Sequence, residues 1–85
     1  PVLVGLAFSA TASEPTDGEK LFKKSCSLCH DINKKRLGPA VKSMSKDADV
    51  LRTTITKGKN SMPKFEGKLQ AAEIDSLVKY IISIQ

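Results

Sequence analysis

Both cysteines of the chain and its single histidine fall within five consecutive residues, Cys26-Ser27-Leu28-Cys29-His30. Two thiols three positions apart can form thioethers to the two vinyl groups of one porphyrin. The imidazole that follows can then stand beneath the iron, which is the attachment pattern of a c-type haem. Other chemistries fit these residues less well. A structural zinc site takes four protein ligands, and a cysteine-ligated iron–sulfur cluster takes four cysteines. A redox dithiol expects a βαβ setting, and no strand pattern is visible. A disulfide across two residues closes so short a loop that it constrains the unfolded chain little. Covalent haem is the reading that remains, with thioethers at Cys26 and Cys29 and His30 as the proximal axial ligand. The free ring nitrogen of His30 is expected to donate to a backbone carbonyl, fixing the tautomer and tuning the ligand.

The second axial position separates the possible functions. With one histidine in the chain, bis-histidine ligation within it is excluded, leaving Met44, Met62, a lysine or an open position. Met44 falls among apolar residues of a short predicted helix, where methionine is ordinary core filler. Met62 stands on an irregular loop before Pro63, far enough along the chain to reach the opposite haem face, and the proline stiffens that loop. Met62 is therefore the expected ligand and Met44 the second candidate. A His/Met iron has no position for substrate and implies one-electron transfer. An open position would imply a gas sensor or a peroxidase-like enzyme, which fast carbon monoxide binding would reveal. A haem subunit of a larger redox complex is the third reading, and diffusional kinetics of a stable monomer would argue against it.

These residues need elements to hold them. Thr16-Asp17-Gly18-Glu19 has capping-box spacing, predicting a helix from about Asp17 into the cysteine motif with Leu21, Phe22, Ser25 and Cys26 on one face. Residues 31–38 are polar and basic and read as a loop. Gly38-Pro39 ends it, with Pro39 suited to the first position of a short helix reaching about Met44. Asp47 is placed to cap a further helix with Val50, Leu51, Thr54 and Ile55 inward and Gly58 as its stop. Residues 59–63 cannot all be helical, because Met62 precedes a proline. The last helix, from about Ala71 to Ile84, aligns Ile74, Leu77, Val78, Ile81 and Ile84. Glu73 and Asp75 lie near its positive end. Leu69-Gln70 offers no usual cap for it.

The chain has 85 residues and a formal charge of +5, with four aromatic residues, Phe8, Phe22, Phe65 and Tyr80, and no Trp. A protein-only core would be thin in a domain this small, and a buried cofactor would supply the missing apolar mass. The basic balance favours acidic partners. The lysines are scattered without a nucleic-acid motif, so nucleic acid is not an expected partner. Residues 1–12 read as the end of a signal peptide, an apolar run closing on Ala10-Thr11-Ala12, too short to span a bilayer. The expected division is a signal remnant at 1–12 and one haem domain at 13–85, with no stable membrane insertion.

Taken together, the motifs resemble the class I cytochromes c, in particular small monohaem bacterial ones, over roughly Asp17 to the C-terminus. The resemblance rests on Gly18-x-x-x-Phe22-x-x-x-Cys26, the Cys26 to His30 motif, Leu37-Gly38-Pro39, Asn60-Ser61-Met62-Pro63 and Leu77-x-x-Tyr80. It implies an all-α fold of three to four short helices wrapped around one covalently bound haem c. The first and last helices would cross near a right angle, with Gly18 and Phe22 meeting Leu77 and Tyr80. The Pro39 carbonyl would accept the His30 hydrogen bond, and Met62 would be the distal ligand. Pro39, Phe65 and Asn60 would belong to the haem pocket. Without a Trp, the propionate contact some relatives take from an indole would fall to Arg36, Lys57 or Asn60. The implied function is a periplasmic electron carrier, not an enzyme, exported by its signal peptide. It would meet acidic reductases and oxidases at a haem edge ringed by Lys23, Lys34, Lys35, Lys57, Lys59, Lys64 and Lys68.

Overall fold

A computed structural model describes residues 17–85; the expected signal remnant, its boundary and Thr16 lie outside them. The order of elements is helix α1 (Gly18–Ser25), a 3₁₀ turn (Val41–Ser43), helix α2 (Ala48–Lys57) and helix α3 (Ala71–Ser83). Among the described residues β-pairing is limited to isolated bridges, between Lys59 and Met62 and between Glu66 and Leu69. The all-α expectation holds.

The starts of the helices follow from capping chemistry. The cap of α1 is Asp17, one position later than the Thr16 capping box predicts, and its carboxylate accepts from the Lys20 N–H at 3.0 Å. Asp47 caps α2 as expected, accepting from the N–H groups of Asp49 and Val50. The start of α3 is not uncapped. Its third residue, Glu73, reaches back to the Gln70 N–H at 2.7 Å and satisfies a donor that no residue at the cap position itself had announced.

Two local expectations need correction. Pro39 does not open a helix. Ala40 is extended, and only Val41, Lys42 and Ser43 make the 3₁₀ turn, with Met44 extended after it. The short segment spends its polar groups elsewhere: the N–H groups of Val41 and Lys42 donate back to the carbonyls of Asp31 and Ile32. Val50 is not on the buried face of α2 but half-exposed, at 50%. Two inward positions, Leu51 and Ile55, suffice there because α2 packs chiefly against α3 alone.

The core is Phe22 from α1, Val41, Leu51 and Ile55 from α2, and Ile74, Leu77, Val78 and Ile81 from α3. The predicted apolar stripe of α3 is therefore its buried face, with Ile84 packed at the margin. Helix α1 meets α3 at Gly18, where a Cβ would collide with the Ser76 carbonyl and come within 2.9 Å of the Tyr80 Cβ. That contact lets the Phe22 and Tyr80 rings pack at 5.7 Å between centroids, tilted by 58°, a favourable edge-leaning geometry. Arg52 joins the other pair of helices, donating to Asp49 on α2 at 2.9 Å and to Asp75 on α3 at 2.7 Å. These two carboxylates hold the Arg52 guanidinium pKa above its ordinary value.

Candidate haem site

The turn that carries the cysteines grows from the end of α1. The Cys26 N–H still donates to Phe22, and the Cys26 carbonyl accepts from both Cys29 and His30, at 3.1 and 3.0 Å. One closed turn thus brings both thiols and the imidazole together. Cys26 and Cys29 are free and half-buried. Before attachment, burial, with a smaller contribution from neighbouring Cys29, pushes the Cys26 thiol up to about 11.

The loop at residues 36–39 grips this turn from outside. Arg36 donates its Nη1 to the Ser27 carbonyl at 3.1 Å, and Gly38 donates its N–H to the Cys29 carbonyl at 2.9 Å. The Pro39 carbonyl lies 2.8 Å from His30 Nδ1. That pairing makes Nδ1 the donor and leaves Nε2 as the lone-pair nitrogen. Gly38 lies directly under the imidazole, where a Cβ would overlap the ring. Below His30, the Asp31 carboxylate accepts from the N–H groups of Asn33 and Lys34 at 2.9 and 3.0 Å. Those two bonds hold its pKa below the usual carboxylate range.

The loop after α2 carries Met62. Gly58 ends the helix at φ 78° and has the Met62 carbonyl and the Lys64 N–H pressed against the space a Cβ would take. Asn60 turns through φ 54°, a left-handed conformation Asn tolerates better than most residues. Lys59 and Met62 exchange both backbone hydrogen bonds, at 3.1 and 2.9 Å. Phe65 and Glu66 tie the loop back to the carbonyls of Ile55 and Thr56. The Met62 and Phe65 side chains are half-buried against the core, as are Met44 and Leu69, while Pro39 and Asn60 are exposed.

These residues fit a c-type haem. The donor set is two unlinked thiols and an imidazole oriented through Nδ1, and the core ends in half-buried Cys26, Met44, Met62, Phe65 and Leu69. No cluster of three or more His, Cys, Asp or Glu suited to a metal ion occurs among the described residues. The three propionate candidates are arranged differently from one another. Arg36 is turned to the cysteine turn, Lys57 lies 3.6 Å from Glu66, and Asn60 is exposed at a left-handed turn of its loop.

Residues 13–81 match the family model described as Cytochrome C oxidase, cbb3-type, subunit III. Cytochrome c6 of Nostoc sp. is 32% identical over 97 aligned positions, which cover 95% of this chain and 86% of that protein. The chain belongs to the class I c-type cytochromes. Cytochrome c6 of Porphyra purpurea is 30% identical over 90 positions, covering 95% of the chain and 81% of that protein. The crystal structure of cytochrome c6 from the diatom Phaeodactylum tricornutum superposes with a TM-score of 0.68 at 25% identity, over 84% of this chain and 93% of that one. This cytochrome is accordingly an electron-transfer protein and not an enzyme, carrying one covalently bound haem c and passing electrons between redox proteins. No helix of the described residues is long and apolar enough to cross a membrane.

The sequence pointed to every member of the cysteine turn and to the Pro39 carbonyl. It missed the Arg36 contact with Ser27 and the steric role of Gly38, which it read only as punctuation. The Gln70-x-x-Glu73 spacing was a legible signal for the α3 cap.

Proposed function

We propose that this cytochrome holds its haem by thioethers from Cys26 and Cys29, with His30 Nε2 and the Met62 sulfur as axial ligands, and serves acidic redox partners at the thioether edge. The observation that carries the reading is the 2.8 Å pairing of His30 Nδ1 with the Pro39 carbonyl. It makes Nε2 the lone-pair nitrogen of a ring that directly follows two cysteines on one turn. When bound, the haem supplies a reversible ferric–ferrous couple that takes up or releases one electron. The work of the chain is to orient His30, to keep Met62 on a doubly bonded turn and to exclude water with half-buried Phe65 and Leu69. A thioether ligand and an apolar surrounding both favour the ferrous state, which carries one charge fewer.

Met62 is favoured over Met44 because its backbone is held on both sides, by the bonds to Lys59 and by Pro63. Met44 ends a 3₁₀ turn with its side chain against the same core. Absorption spectra of the ferric holoprotein test this assignment. Met62→Ala is expected to lose the weak iron–thioether band and gain carbon monoxide binding in the ferrous state, while Met44→Ala keeps both properties of the wild type. The opposite pattern would transfer the ligand to Met44.

The proposed acidic partner follows from the charges around the cysteine turn and the Met62 loop. Lys23 and Lys57 are offset by Glu19 and Glu66, at 3.2 and 3.6 Å. Lys34, Lys35, Lys59 and Lys64 are exposed and enter no ion pair within 4.0 Å among the described residues. Lys68 stands 5.8 Å from the centre of the Phe65 ring. These five form the collar proposed to steer the partner. Export to the periplasm is part of the same reading, supported by the signal-like pattern of residues 1–12. Amino-terminal sequencing of the exported protein tests it, with Ser13 expected first.

A further inference from the structure

Arg36 is an exposed side chain that is nevertheless fixed, with its guanidinium on the Ser27 carbonyl at 3.1 Å. Its own backbone is fixed as well, its N–H donating to the Gly38 carbonyl at 2.9 Å. Holding a long cationic side chain in one place costs rotamer freedom, and nothing in the core requires it. We propose that Arg36 is a potential-setting and positioning residue of the haem site. It keeps one positive charge beside the turn that bears the two thioethers and closes that turn from its outer end.

The argument rests on the attachment reading given above. Ser27 lies between the two attachment cysteines, so a donor on its carbonyl is bound to the thioether side of the site. A fixed positive charge there opposes the extra positive charge of ferric iron and favours uptake of the electron. The reduction is Fe(III) plus one electron giving Fe(II), with the electron supplied by the reduced partner protein, which is oxidised by one equivalent. The neighbours set the size of the effect. Asp31 lies close enough for the Arg36 charge to help lower its carboxyl pKa, as Lys34 does, and its negative charge partly offsets Arg36. Lys35 carries the same charge one residue earlier, with no hydrogen bond from its side chain among those of the described residues. Position and immobility, rather than charge alone, distinguish Arg36.

Redox titration of the holoprotein tests this, using Arg36→Gln, Arg36→Lys and Lys35→Gln beside the wild type at low and high salt. Arg36→Gln is expected to lower the midpoint potential, by more than Lys35→Gln does, and the drop should shrink as salt rises. Arg36→Lys should fall between, since it keeps the charge and loses the planar fork. Equal shifts for Arg36→Gln and Lys35→Gln, or equal potentials for Arg36→Gln and Arg36→Lys, would overturn the proposal. A haem-stained denaturing gel separates this from failure of the attachment reading. All three variants should retain covalent haem, whereas a Cys26→Ser, Cys29→Ser double variant that still stained would defeat the attachment itself.

Discussion

His30 and Asp31 are each held by their neighbours, through different forces, and each restraint has a measurable consequence. The first is steric. Because a Cβ at position 38 would overlap the imidazole, Gly38→Ala must turn the ring away and break its 2.8 Å pairing with Pro39. Overpacking of this kind costs about 1–3 kcal/mol, and the covalent haem yield of the variant is expected to fall well below wild type in a pyridine haemochrome assay. The second is electrostatic. Two backbone N–H groups depress the Asp31 pKa, so its stabilising contribution is present above the ordinary carboxylate value and fades as pH falls through the depressed one. Asp31→Asn keeps an acceptor oxygen and loses the charge. Denaturant midpoints should therefore show wild type ahead of the variant at neutral pH, with the gap closing in strong acid. A gap that widened in acid would contradict this account.

At the scale of elements, the contact of α1 with α3 sets the frame for the whole site. Gly18→Ala brings a methyl group against the Ser76 carbonyl, which is backbone and cannot swing aside. The helices must separate, loosening the Phe22–Tyr80 contact. The expected loss is about 1–3 kcal/mol in a denaturant titration, with the His30 ligand spectrum unchanged because the cysteine turn lies at the other end of α1. These helices were legible in the sequence because their signals are local and redundant: Asp47 before α2, Gly58 after it, and an apolar residue at every inward position of α3. The exceptions have physical reasons. Val50 satisfied the helical period but has only α3 to pack against, so that one stripe of α2 is enough. Pro39 satisfied the rule for a first helical residue, yet the chain uses its carbonyl for His30 and starts the 3₁₀ turn two residues later. The Arg36 contact was illegible because a charged run such as Lys34-Lys35-Arg36 gives no sign of which member finds a carbonyl.

For the whole molecule, the charge distribution matters more than the count. The formal +5 includes Arg52, which two carboxylates on α2 and α3 already engage, and Lys23 and Lys57, which have acidic neighbours. The lysines of the cysteine loop and the Met62 loop that enter no ion pair among the described residues are the ones proposed to meet a partner. Stopped-flow oxidation by an acidic redox protein should slow several-fold between low and physiological salt. Lys34→Gln and Lys64→Gln should each reduce the low-salt rate, whereas Lys23→Gln should change it little. Insensitivity to salt would remove the steering role.

The grip of residues 36–39 on the cysteine turn also bears on the order in which the molecule assembles. The contacts of Arg36 with Ser27, Gly38 with Cys29 and Pro39 with His30 each span only nine residues. The frame that surrounds them joins Gly18 to Ser76, nearly the length of the domain. Closing a short loop costs less chain entropy than closing a long one, and local contacts form sooner. The proximal half of the site can therefore organise from a short stretch of chain, before the C-terminal helix has docked. The Met62 loop, proposed to carry the distal ligand, depends on the α2 anchor and on that later docking. Hydrogen exchange should find the Gly38 amide protected earlier in refolding than those of the Met62 loop. The same asymmetry would let the Met62 loop open reversibly while the cysteine turn and its grip stay intact.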